Sequence, residues 1–187
     1  AIKDQNQDCI LFFRLGDFYE MFDEDAKLAA RELDLTLTTR DRSKPKDEQT
    51  PMCGVPYHSV DSYIARLVQK GYKVAICEQM EDPATAKGIV EREITRIVTP
   101  GTVTESCMLD ESRNNYIGCI YGEGGKFGLS FCDVSTGAFF VTVCSDPQSV
   151  ASELGRFAPS EVIRYGAGVD KEQIEDALFR RLNCCVN

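Results

Sequence analysis

The chain has 187 residues, 43% hydrophobic and 27% charged, with a formal net charge of −9. That length fits one large domain or two small ones, and the composition is that of a soluble globular chain. The acidic balance argues against a nonspecific nucleic-acid binder, which would carry a basic excess; any nucleic-acid contact must be local and assisted by other parts. No apolar run approaches the ~20 residues of a membrane span, and the polar start "AIKDQNQD" lacks the basic-then-apolar pattern of a secretory signal. Ala1 in place of methionine reads as the start of an excised piece of a longer chain.

In chain order, "CILFFRL" (Cys9 to Leu15) reads as a largely buried strand broken by Gly16. A helix is expected next, with Asp17 as N-cap and Glu20 three residues on, at capping-box spacing. Within it Phe22, Ala26, Ala29 and Leu33 recur at helical steps. "LDLTLTT" (Leu33 to Thr39) alternates like a half-buried strand, and Arg40 to Gln49 is a charged loop. Against the acidic background, "RDRSKPK" within that loop concentrates Arg40, Arg42, Lys44 and Lys46. "TPMCGVPYH" (Thr50 to His58), with two prolines and a glycine, reads as an ordered turn. A helix with Val60, Tyr63, Ile64, Leu67 and Val68 on one face follows, stopped by Gly71. "YKVAICEQ" is expected as a central strand, "EDPATAKG" as a loop and "REITRIV" as a strand ended by Pro100-Gly101.

Beyond this point the text is polar and aperiodic ("TVTESCMLDESRNN"), as in a linker. Tyr116 to Asp146 then reads as three strands in an antiparallel meander, with turns at "GEGGK" and "STG". A helix from about Gln148, a short strand "EVIRY", a helix from about Lys171 and a strand beginning at "CCVN" complete the pattern. The expected organisation is two α/β units: 1–99, a linker 100–115, and 116–187, the second cut short.

Little catalytic chemistry is legible. The nine cysteines are odd in number, contain no C-x-x-C and lie mostly in apolar runs. They read as reduced, small hydrophobes in a cytoplasmic protein rather than a zinc site or disulfide scaffold. "GEGGKFG" lacks the spacing of a phosphate-binding loop. The lone histidine, His58, reads as a turn or capping residue, and Asp133 is a single carboxylate where a two-metal nuclease needs several. "GDFYE" is different. On residues alone, Phe18 extends the apolar stripe and Glu20 closes the capping box. Yet Phe18, Tyr19, Met21 and Phe22 surround more than one helix face, so either the sheet or a ligand must cover the surplus.

"LFFRLGDFYEMFDEDA", "PMCGVPYHSVDSYIARLV", "GYKVAICEQMEDPATAKGIVEREITRIVTPGT" and "DVSTGAF" together resemble the MutS family of DNA mismatch-repair proteins, over about Cys9 to Phe140. The resemblance implies an α/β fold: a mixed-sheet mismatch-recognition domain, then a truncated, ribonuclease-H-like α/β connector domain. It also implies that Phe18 wedges from the minor groove and stacks on a mispaired base, while Glu20 hydrogen-bonds that base. Arg40 and Met52 become candidate DNA contacts. The implied partners are mismatched or looped duplex DNA, a MutL-type protein through the connector, and a second copy in the full-length protein; no membrane is implied. ATP and Mg belong to the full-length protein, whereas this chain is expected to hold no cofactor and no enzyme activity. Two rivals stay open: a protein-interaction module without lesion contact, and a ribonuclease-H-like nuclease.

Overall fold

A computed structural model describes residues 2–41, 43–81, 90–110 and 112–187, without the side chains of Lys46 and Cys107. It divides into two compact units, Ala1–Val98 and Thr99–Asn187. Both are α/β with a mixed sheet.

The first unit contains strands β1 (Cys9–Leu15), β2 (Phe18–Phe22), β3 (Thr38–Thr39), β4 (Pro51–Pro56), β5 (Lys73–Gln79) and β6 (Arg92–Val98), with helices α1 (Asp23–Leu33) and α2 (Val60–Gln69). The sheet order is β3-β4-β2-β1-β5-β6, with only β1 and β5 parallel neighbours. Helices α1 and α2 cover one face, burying Phe12, Met21, Ala26, Ala29, Val55, Ile64, Leu67 and Val74. Tyr19 points into this layer and donates its phenol to Glu78; burial, then that carboxylate, pushes the phenol up to about 12. It is a neutral donor at any physiological pH.

Three local expectations are corrected. The stretch after Gly16 is not a helix start: Gly16 (φ +59°) and Asp17 form a two-residue hairpin loop, and Phe18 begins a strand paired with Leu15. A glycine at the first loop position accepts the left-handed backbone that tight hairpins require. Tyr19 and Met21 are buried while Phe18, Glu20 and Phe22 face the other way, so the aromatic surplus was period 2 with both faces apolar. The helix begins later, at Asp23, and its acidic first turn (Asp23, Glu24, Asp25) suits the helix dipole.

Second, "LDLTLTT" forms a strand only at Thr38–Thr39. Asp34 closes α1 in the left-handed region and both it and Leu35 donate to Ala30 O, so these residues serve the helix end instead. Third, "PMCGVP" is an interior strand, not a turn. Its prolines stand at the two ends, where a missing donor is tolerated, and Gly54 marks a close approach of neighbouring groups. The expected loop "EDPATAKG" lies, from Asp82 on, outside the described residues.

The second unit has strands β7 (Tyr116–Glu123), β8 (Lys126–Asp133), β9 (Ala138–Cys144), β10 (Glu161–Gly166) and β11 (Cys185–Val186) in the order β11-β10-β7-β8-β9. The meander β7-β8-β9 is antiparallel; β10 runs parallel to β7 and β11 to β10. Helix α3 (Pro147–Phe157) is capped by Asp146, which accepts from Ser149 N at 2.9 Å. Helix α4 (Glu172–Glu175) continues as a π-helical segment, Asp176–Arg181. Ile120, Leu129, Phe131, Leu154, Val162, Ile174 and Leu178 form the core, with Phe131 and Phe157 stacked at 4.1 Å. Thr99, Pro100, Gly101 and Asn115 pack with this unit: Glu161 accepts from Thr99 Oγ1 (2.5 Å) and Gly101 N (3.0 Å), and Asn115 Nδ2 donates to Pro100 O (2.8 Å). Among the described residues no helix is long and apolar enough to cross a membrane.

Candidate nucleic-acid interface

The face of the first sheet opposite α1 and α2 carries alternate residues of three neighbouring strands. These are Phe13 and Leu15 on β1, Phe18, Glu20 and Phe22 on β2, and Met52, Gly54 and Pro56 on β4. Phe18 stands at the hairpin tip, flanked across the strands by Leu15 and Pro56, and is 47% exposed. Tyr57 N donates to Asp17 O (3.0 Å), clasping the hairpin loop from just past the end of β4. An apolar ring is thus displayed from a pinned, two-residue loop on an internal strand.

Glu20 lies next along the same face, between Phe13 and Gly54. It is half-buried, and among the described residues no group hydrogen-bonds or ion-pairs with its carboxylate. An acceptor-only group held there without a donor is ready for an external N–H. Gly54 provides the room. A Cβ there would meet Tyr19 O at 3.2 Å, Glu20 Cγ at 3.5 Å and Phe18 Cδ1 at 3.8 Å. Gly54→Ala should therefore press β2 away and disturb both side chains. The overpacking cost, about 1–3 kcal/mol, exceeds alanine's entropic gain of about 0.4–1 kcal/mol, so urea unfolding should show a net loss. A rise in stability would mean that β2 yields without strain.

The other two sequence candidates share this face. Met52 is paired with Phe22. Arg40 follows β3, exposed, with its guanidinium 5.8 Å from the centre of the Phe22 ring. Of the other cations in its loop, Lys44 is paired with Asp41 (3.4 Å), while Arg42 lies outside the described residues. Sequence reasoning missed Phe13, Gly54 and Arg92. Phe13 meets Phe22 edge-on at 6.4 Å, and Arg92, on β6, sits 5.1 Å over the Phe13 ring. The alternation of "REITRI" signalled that Arg92 shares a face with Ile94, but not which face.

The remaining candidates have local structural roles. Asp133 is fully buried and accepts from Asn115 N (3.2 Å), Ser135 N (2.9 Å), Ser135 Oγ (2.6 Å) and Thr136 N (3.2 Å), bracing the turn between β8 and β9. His58 packs edge-on against Tyr57 in a single helical turn before α2. Cys53 and Cys184 are buried free thiols; burial pushes the first up to about 11 and the second to about 12. Among the described residues no cluster of His, Cys, Asp and Glu could hold a metal ion.

Comparison with known proteins gives this geometry a context. The family model of MutS domain I matches residues 1–107, and that of MutS domain II matches residues 115–187. The chain belongs to the MutS family. It is similar to the DNA mismatch repair protein MutS of Acetivibrio thermocellus, 51% identical over 100% of this chain and 22% of that protein. The MutS of Staphylococcus carnosus is 55% identical over 97% of the chain and 20% of its own length, and that of Clostridium tetani 53% over 94% and 20%. The chain thus spans about a fifth of the length of these curated MutS relatives, and the open sheet face lies within the stretch matched by domain I.

Proposed function

We propose that this chain is the lesion-sensing part of a MutS-type DNA mismatch-repair protein. Phe18 enters the minor groove as a wedge and stacks on a mispaired base; Glu20 hydrogen-bonds that base. The observation that supports this best is Phe18 itself: a half-exposed aromatic on a pinned hairpin, beside a carboxylate that has no partner among the described residues. The minor groove offers a degenerate pattern of acceptors, so edge readout alone cannot find every error. A wedge instead tests how easily a step kinks and unstacks, and a mispair deforms more cheaply than a matched pair. Any base offers a face for stacking, which suits a general detector. Arg40 and Met52, on the same face, add backbone and groove contacts.

The remaining parts of the function are assigned beyond this chain. ATP and Mg bind in other domains of the full-length protein, which is an ATPase and pairs with a second copy. Those domains also supply most of the phosphate attraction that a chain of net charge −9 lacks. A MutL-type partner docks through the second unit, where Phe139, Val141 and Val143 on β9 form an exposed apolar row. That row favours the interaction-module reading for the second unit alone. The cellular setting is the cytoplasm.

Glu20 provides the test. Ionised, it accepts from a thymine or guanine ring N–H, and it is repelled by the phosphates of every duplex, matched ones included. Glu20→Ala should bind matched DNA more tightly than the parent, so that selectivity falls through a better homoduplex. Glu20→Gln should keep part of the base bond while losing the repulsion. The variants are titrated against matched, G·T and unpaired-T duplexes at two salt concentrations, in a full-length MutS carrying this chain as the matching segment. If Glu20→Ala gains nothing on matched DNA at low salt, the repulsion account is wrong.

A further inference from the structure

We propose that Arg92 is a second phosphate contact, on the opposite flank of Phe18 from Arg40. The inference rests on the reading of Phe18 as a minor-groove wedge and adds a residue to it. Register gives the placement. Phe13 pairs with Cys77 in the parallel β1–β5 pair, Arg92 pairs with Gln79 two residues further along β5, and the Arg92 Nε reaches Arg14 O on β1. Leu15 also pairs with Phe18. Phe18 on β2 and Arg92 on β6 therefore stand near the same end of the sheet, with β1 and β5 between them. Three strand spacings put the Arg92 backbone roughly 14 Å from that of Phe18. Arg40 lies the other way, its N–H bonded to Thr50 O at the start of β4. With a wedge in a groove about 6 Å wide, groups on both flanks meet the two sugar–phosphate strands rather than base edges.

The chemistry of Arg92 fits that position. Its Nε donates to Arg14 O (3.1 Å) and one Nη to Val90 O (2.8 Å), and the Phe13 ring supports the guanidinium. These contacts hold the plane of the group while leaving donors on both terminal nitrogens. Among the described residues no carboxylate is paired with Arg92 or with Arg40, although Glu20 stands directly opposite Phe13. Phe13 and Phe22, in edge contact, link the two stacked arginines into one track: Arg40, Phe22, Phe13, Arg92. An oriented guanidinium without a counter-ion is suited to a phosphate, since its fork loses little freedom on binding.

The test is a salt series between 50 and 200 mM with matched and G·T duplexes, on a full-length MutS carrying this chain. Arg92→Gln should weaken both duplexes by the same factor, roughly 5- to 10-fold at low salt, and reduce the slope of log K against log salt by about 0.9. Arg92→Lys, which keeps the charge, should keep the slope. Arg92→Met, whose stem still covers Phe13, should behave as the glutamine variant does and guards against a folding defect, with thermal melting as the check. An unchanged slope in the glutamine and methionine variants overturns the proposal, whatever happens to affinity. Phe18→Ala in the same series separates the underlying reading: it should change the ratio between duplexes and leave the slope alone. A parent without mismatch preference overturns the wedge, and the Arg92 proposal with it.

Discussion

Phe18→Ala should remove most of the preference for mismatched over matched duplex while costing the fold little. Stacking of a base on an aromatic side chain is worth about 1–3 kcal/mol, so the preference should fall by roughly 5- to 150-fold. The ring is 47% exposed, whereas Phe12, directly inside the same sheet, is fully buried. Core phenylalanine truncations cost about 3–5 kcal/mol; Phe12→Ala should fall in that range, and Phe18→Ala should cost less than about half as much. Paired duplex titrations with full-length MutS carrying this chain test the first part, and urea unfolding of the chain tests the second. Intact discrimination together with a loss of several kcal/mol would make Phe18 an ordinary packing residue.

The second large effect is expected in the other unit. Asp133→Ala should destabilise it by about 3–5 kcal/mol, because three backbone N–H groups and a hydroxyl lose their shared acceptor. Asp133→Asn keeps the shape but turns an amide toward donors, and should recover only part of this. The pH dependence has a definite sign. Burial by itself would raise the carboxyl, but the hydrogen bonds from Ser135, Asn115 and Thr136 outweigh it and hold the group below its ordinary value of 3.8. A depressed folded-state value contributes stability above the unfolded-state value that is lost as pH falls through the folded one. The stability gap between parent and Asp133→Asn should therefore be full at neutral pH and narrow below about pH 4. Equal urea midpoints for parent and Asp133→Asn at pH 7 would show that the buried carboxylate is not what braces this turn.

Much of the fold was legible because its elements carry strong local signals. The stripe of Val60, Ile64, Leu67 and Val68 specifies α2, and Gly71 follows its end. In "GEGGK" two glycines with positive φ stand between Glu123 and Lys126, which pair directly, so the hairpin was written in the chain. The stretch from Gly16 to Phe22 was misread for a physical reason. Its apolar residues satisfy helical and strand periods together, and Asp17 and Glu20 happen to stand at cap spacing. Only pairing with β1 on one side and β4 on the other decided for the strand.

By itself the sequence determined the family and the two α/β units, and it singled out Phe18 and Glu20 as candidates, since long ordered motifs and periodicities are properties of neighbours along the chain. It could not determine which groups share the open face. Gly54 beside Glu20, Met52 opposite Phe22, and Arg92 over Phe13 are each joined by register across strands distant in sequence. A one-residue slip in any of those pairs would send the side chain to the other face. Register is chosen by burial of Tyr19, Met21, Phe12 and Val55 against the helices, so only the packed core decided that Phe18 and its neighbours face outward.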